Sequence, residues 1–234
     1  MVLNGTKESQ GGAFDMIRLS DVEKHPVIGA YIKQADANLA AMGFTEHGRR
    51  HIGLVSSIAH NILQRLGYEE RLADLAAIAG YLHDIGNCIG RVNHGAASAF
   101  LVEPILREMG MLPGEVALIL SAVGNHEEEV GEPVNEVAAA LILADKSDVH
   151  RTRVRNPELP SFDIHDRVNF AVIKSFLDVN EDERLITLRI TIETKDTSIM
   201  EYFEIFLERM LMCRRAATYL GCEFKLKINE ALLL

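Results

Sequence analysis

Tryptophan is absent from these 234 residues, and cysteine occurs three times. Cys88, Cys213 and Cys222 are an odd number without a Cys-x-x-Cys spacing, which argues against a disulfide framework and against a thiolate zinc site. No stretch reaches the ~18 apolar residues of a membrane span, and Met1–Lys7 lacks the apolar core of a secretory signal. A reducing cytoplasm is the expected compartment, with no membrane partner. Positive charge is also short: 24 Lys and Arg stand against 34 Asp and Glu, a net charge of -10. That balance suits a duplex backbone poorly, so no bulk nucleic-acid binding is expected. A phosphorylated small molecule stays open as a partner, because bound divalent cations reverse the local field of an acidic cleft.

What is present is ordinary globular material, 48% apolar and 25% charged, long enough for one large domain or a domain with an appendage. Residues Met1–Gly12 are polar and read as a frayed start. Apolar spacing at Val27, Tyr31, Ala35 and Leu39 predicts a helix ending near Gly43, with Thr45 as the N-cap candidate of the next. Ile52, Val55, Ala59, Ile62, Leu63 and Leu66 continue the helical period to a stop at Gly67. The run Glu69–Asp84 is apolar on more than one side and is predicted to be central. Further helices are expected over Ala96–Met109, Glu115–His126 and Val134–Val149, the last two opened by Pro113-Gly114 and Pro133. From Val27 this gives about six helices and no strand.

After Arg155 the character changes. Asn156–Pro160 is loop chemistry, and Asp166–Asp178 reads as one more helix. Leu188, Ile190 and Ile192 then alternate with polar neighbours, as do Phe224, Leu226 and Ile228, with a helix over Ile199–Leu220 between them. The expected fold is mainly α, a helical bundle with a small C-terminal strand-helix-strand (α+β) appendage. Residues 1–44 form an N-terminal segment and a helix packing on the bundle, residues 45–178 the helical core with the site, and residues 179–234 the appendage. The appendage carries no catalytic grouping; packing is its expected role, ahead of dimerisation or ligand recognition, and a homodimer is compatible with it.

The chemistry concentrates on the adjacent pair His83-Asp84. Neighbours on a helix point about 100° apart and do not readily chelate one ion, but Gly86 just beyond reads as a helix stop that would let both face one cavity. His51 precedes the pair; His94, His126 and Asp145 follow. Asp145 shares an apolar stripe with Val137 and Leu141, where an unpaired buried carboxylate costs several kcal/mol, so it should be paired or metal-bound. Imidazoles with carboxylates suit a divalent transition metal such as Fe, Mn, Ni, Co or Zn. Of the other histidines, His25 is read as structural, His60 as falling off the core stripe and His165 as lying in a loop. His47 competes with His51 from the same helix face and is placed behind it or at the surface, and His150 is read as no ligand. Asp148 is read as supporting the site rather than ligating, and Glu127–Glu129 as a solvated charge run.

His51-Ile52-Gly53-Leu54-Val55, His83-Asp84-Ile85-Gly86 and Ala144-Asp145-Lys146-Ser147-Asp148, in this order and helical setting, resemble the HD-domain metal-dependent phosphohydrolase superfamily. The resemblance runs from about Thr45 to Arg155 and implies an all-helical fold. It implies His51, His83, Asp84 and Asp145 as the minimal metal set, and His94 and His126 as the histidines that two-metal members add, with Asp84 bridging. His83 and Asp84 are then catalytic residues as well as ligands. The lysine often found after His-Asp-Ile-Gly is here Asn87, so a phosphate contact is lost or moved. Lys146, Arg151 and Arg153, in a basic run with Arg155, are the candidates to hold the phosphate.

The expected activity is hydrolysis of a phosphate ester of a nucleotide or other small molecule by metal-activated water at a dinuclear site. The rivals are a di-iron oxygenase built from the same ligand types and a regulatory binding module with a relic site.

Overall fold

The computed structural model describes residues 16–128, 130–155, 164–193, 199–229 and 231–232. The expectations for Met1–Gly12 and Asn156–Pro160, and for Glu129, fall outside them.

Helices α1 (Leu19–Lys24), α2 (Pro26–Ala41), α3 (Arg49–Arg65), α4 (Glu70–Leu82), α5 (His94–Glu108), α6 (Pro113–Gly124) and α7 (Glu136–Ser147) build the bundle. α7 is its axis. Every residue from Val137 to Ser147 is buried, as the all-round apolar run Val-Ala-Ala-Ala-Leu-Ile-Leu-Ala requires. It packs on α3, α4 and α6, so the carboxylate that ends its apolar run is delivered into the middle of the molecule.

Several local expectations shift. α3 starts at Arg49 behind Gly48, whose N–H donates to Glu46 Oε1 at 2.7 Å; Thr45 is not its cap. α7 starts after Asn135, whose side chain accepts from Ala138 N at 2.8 Å, two residues beyond Pro133. α4 ends at Leu82, and Gly86 is no helix stop: it lies inside a 3-10 turn over Ile85–Cys88. The left-handed glycines Gly43 (φ 82°) and Gly67 (φ 79°) do close α2 and α3.

The C-terminal part holds α8 (Ile164–Ala171), β1 (Val172–Asn180), β2 (Leu185–Ile192), α9 (Ile199–Tyr219), β3 (Glu223–Ile228) and the short β4 (Ala231–Leu232). The predicted helix over Asp166–Asp178 is corrected here, because it stops at Ala171 and the chain continues as β1. The sheet order is β1-β2-β3-β4, antiparallel except for β2 and β3, which run parallel across the α9 crossover. The sheet is not a separate body. β1 packs on α3 and α7, and α9 packs on α7, which brings Phe206 and Arg209 of α9 to the cleft that His94 and Lys146 also line.

Candidate metal centre

All six expected ligands meet between α3, α4, α5, α6 and α7. His83 keeps helical angles, and Asp84 then drops into the bridge region at φ -103° and ψ 0°. That break, rather than a glycine stop, turns both side chains into one cavity.

Each imidazole is held by its Nδ1. His83 Nδ1 donates to Gly80 O (2.8 Å), His94 Nδ1 to Arg91 O (2.9 Å) and His126 Nδ1 to Val123 O (2.6 Å), in each case the carbonyl three residues back. His51 Nδ1 donates to the Asp148 carboxylate at 2.7 Å. Because carbonyls and carboxylates only accept, the proton sits on Nδ1 and the Nε2 lone pair points inward.

Those lone pairs converge in two groups. His51 Nε2 lies 3.3 Å from His83 Nε2, with Asp145 Oδ1 at 3.4 Å and 3.7 Å from the two nitrogens. His94 Nε2 lies 3.1 Å from His126 Nε2. Asp84 stands between the groups. Its Oδ2 is 3.7 Å from His51 Nε2 and 3.4 Å from His83 Nε2, whereas its Oδ1 is 3.2 Å from His94 Nε2 and 3.8 Å from His126 Nε2. Lone pairs facing one another this closely repel unless a cation, a proton or a metal, lies between them. The donor set of four imidazoles and two carboxylates fits divalent transition metals.

The surrounding residues tune the set. Asp145 divides its oxygens, Oδ1 toward the histidines and Oδ2 to Lys146 Nζ at 2.6 Å. Burial alone would raise the carboxyl pKa values of Asp84 and Asp145; His83 (with His126 and His94) and Lys146 (with His51 and His83) respectively outweigh it, and both are held well below the ordinary range. Burial pushes His126 down to about 4, so it is neutral at pH 7. Burial also pulls His83 down, but Asp84 and Asp145 overcome it and raise its pKa. A metal at this group therefore competes with protonation of His83. Metal affinity is expected to rise with pH through the raised His83 pKa, with proton release seen as buffer-dependent heat in calorimetry; His126, already neutral, adds no such step above about pH 4.

Asp148, expected to support rather than ligate, does so. It is 2% exposed, accepts from His51 and takes two hydrogen bonds from Arg50 at 2.8 Å and 3.3 Å. Asp148→Asn is expected to weaken metal binding by about 10–100-fold while the fold persists, checked by chelator competition.

Above the ligands opens a cleft of about 350 Å³ lined by residues including Phe44, His47, Arg91, Lys146, Arg153 and Arg209. The phosphate candidates divide. Lys146 lines the cleft but is tied to Asp145. Arg153 is buried and spends its nitrogens on Asp148 O (2.7 Å), His47 Nε2 (2.8 Å) and Glu46 O (3.3 Å). Arg151 is not brought to the site; it pairs with Glu193 at 2.7 Å and lies over Phe170. Glu127 and Glu128, read as a solvated face, are corrected too: Glu127 accepts from Gly95 N at 2.5 Å, and Glu128 pairs with Arg209 at 2.6 Å.

Sequence reasoning missed Arg91, Phe206 and Arg209 here, and gave Asn87 no contact with the ligands. Asn87 Nδ2 donates to Asp84 Oδ1 at 3.0 Å. Arg91 Nη1 lies 3.4 Å from Asn87 Oδ1 and 3.3 Å from His94 Nε2, its guanidinium over the Phe44 ring at 5.5 Å. Phe206 and Arg209 reach the cleft from α9. The one signal available was position, Asn87 and Arg91 lying between the doublet and His94.

Residues 49–150 match the family model described as the HD domain. The uncharacterized protein MJ1020 of Methanocaldococcus jannaschii is 25% identical to this chain, over 80% of the chain and 80% of its own length. Its name carries no activity. The matched span contains every expected ligand from His51 to Asp145, and over these residues the chain is similar to the HD domain.

Proposed function

We propose that the protein is a metal-dependent phosphohydrolase that cleaves a phosphate ester of a nucleotide or another small molecule with metal-activated water at a dinuclear site. The observation that carries this reading is the division of Asp84, one oxygen toward His51 and His83 and the other toward His94 and His126. Divalent cations held there supply Lewis acidity and lower the pKa of water to near neutral, the chemistry an in-line displacement at phosphorus needs.

The chain's own residues supply the rest. Asp84 faces both groups and fixes their separation. The carbonyls of Gly80, Arg91 and Val123, with the Asp148 carboxylate, hold each imidazole in one tautomer, so little reorganisation accompanies binding. Lys146 neutralises the outer oxygen of Asp145 and keeps its inner oxygen for the site. A cleft of about 350 Å³ is on the scale of pockets for small ligands.

The test is metal analysis of anaerobically purified protein, followed by a phosphatase screen of nucleotides and simple phosphate esters with Mn²⁺ or Fe²⁺. Bound transition metal and metal-dependent phosphate release are expected. Oxygen uptake without phosphate release under any metal would assign the same ligands to an oxygenase instead.

A further inference from the structure

Four cationic side chains besides histidines line the cleft, and three of them are already neutralised. Lys146 is 2.6 Å from Asp145, Arg153 is 3.7 Å from Asp148, and Arg209 is 2.6 Å from Glu128. The fourth is Arg91. Among the described residues no carboxylate pairs with it; it touches the Asn87 amide, His94 Nε2 and the face of Phe44.

Its position is specific. Nη1 points at His94 Nε2, a lone pair that a metal would take. Guanidinium and metal repel at that range unless an anion lies between them. Phosphate oxygens fit the planar fork of an arginine, and the aromatic face of Phe44 steadies it.

Asn87 ties this guanidinium to the ligand set: its amide joins Asp84 Oδ1 on one side to Arg91 Nη1 on the other. Asn38 of α2 holds the turn in place, donating to the carbonyls of Asn87 (3.2 Å) and Cys88 (3.0 Å).

We infer that Arg91 is the residue that receives the phosphate of the substrate, with Asn87 as its tether. This rests on the phosphohydrolase reading of the same site. Lys146 and Arg153 then serve the protein, and Arg91 serves the ligand.

The test is binding of inorganic phosphate to the metal-loaded protein by calorimetry, for wild type, Arg91→Ala, Arg91→Lys and the exposed charge control Arg107→Ala. Phosphate affinity is expected to fall about tenfold or more in Arg91→Ala, the scale of a lost charge-assisted hydrogen bond, with metal content and thermal midpoint unchanged. Arg91→Lys should recover part of it, and Arg107→Ala should match wild type. Equal binding by wild type and Arg91→Ala overturns the inference, as does loss of metal in Arg91→Ala, which would make the side chain a support for His94. Arg91-dependent phosphate binding without hydrolysis of any ester leaves the inference standing and removes the phosphohydrolase reading instead.

Discussion

Asp84→Ala is expected to lower kcat by roughly a thousandfold or more, about 4 kcal/mol of barrier, and to disturb both halves of the metal site at once. The reason is geometric. Apart from His83, which also comes within 4.8 Å of His126, each of the other ligands faces one group of nitrogens, but the two oxygens of Asp84 face different groups. His126→Ala should by contrast disturb chiefly the group it shares with His94. Metal-to-protein ratio and turnover, measured together on the two variants, distinguish them. If Asp84→Ala retained wild-type metal content and rate, the bridging role would be wrong.

Gly86→Ala is expected to cost about 3 kcal/mol or more, a Tm drop of roughly 6–12 °C, and to loosen metal binding as well. A Cβ at this position would stand 2.1 Å from the carbonyl oxygen of His94 and 2.5 Å from the amide of Ser98. Both are backbone atoms of α5, so relief requires α5 to move, and His94 moves with it. The Gly86 N–H also donates to Ser98 Oγ at 2.7 Å, a bond that the same movement would stretch. Gly53→Ala is the matched control. It lies in α3 with nothing within 4 Å of its Cβ position, and should be neutral or stabilising by up to ~1 kcal/mol. Thermal unfolding of the three proteins checks the pair.

Most bundle helices were legible because they bury a stripe that repeats at the helical period, and glycines that need a left-handed backbone marked the ends of α2 and α3. β1 was not. Val172, Ile173, Phe176, Leu177 and Val179 fall at spacings that suit a helix face. A register irregularity between Val172 and Lys174 removes the clean alternation that marks a strand. The same local blindness affected the arginines. Arg151 and Arg153 share a 3-10 turn, where residues two apart point to different sides, so one meets Glu193 at the surface and the other Asp148 inside. The six ligand positions could be read from order and residue type. The cleft wall from α9 could not, because Arg209 meets Glu128 only through the tertiary packing of α9 on α7.

Cys88, Cys213 and Cys222 are all free thiols, so no covalent cross-link restrains this chain. The clamping of each imidazole by its neighbouring oxygen gives the molecule a different kind of staple. Cations shared among His51, His83, Asp84, His94, His126 and Asp145 would tie five helices at a single knot and close long loops of the unfolded chain, as a disulfide does. Unlike a disulfide, such a knot is governed by mass action: its contribution grows with the logarithm of free metal concentration and disappears with a chelator. The resistance of this protein to unfolding is then a property of the metal supply around it as much as of its own sequence.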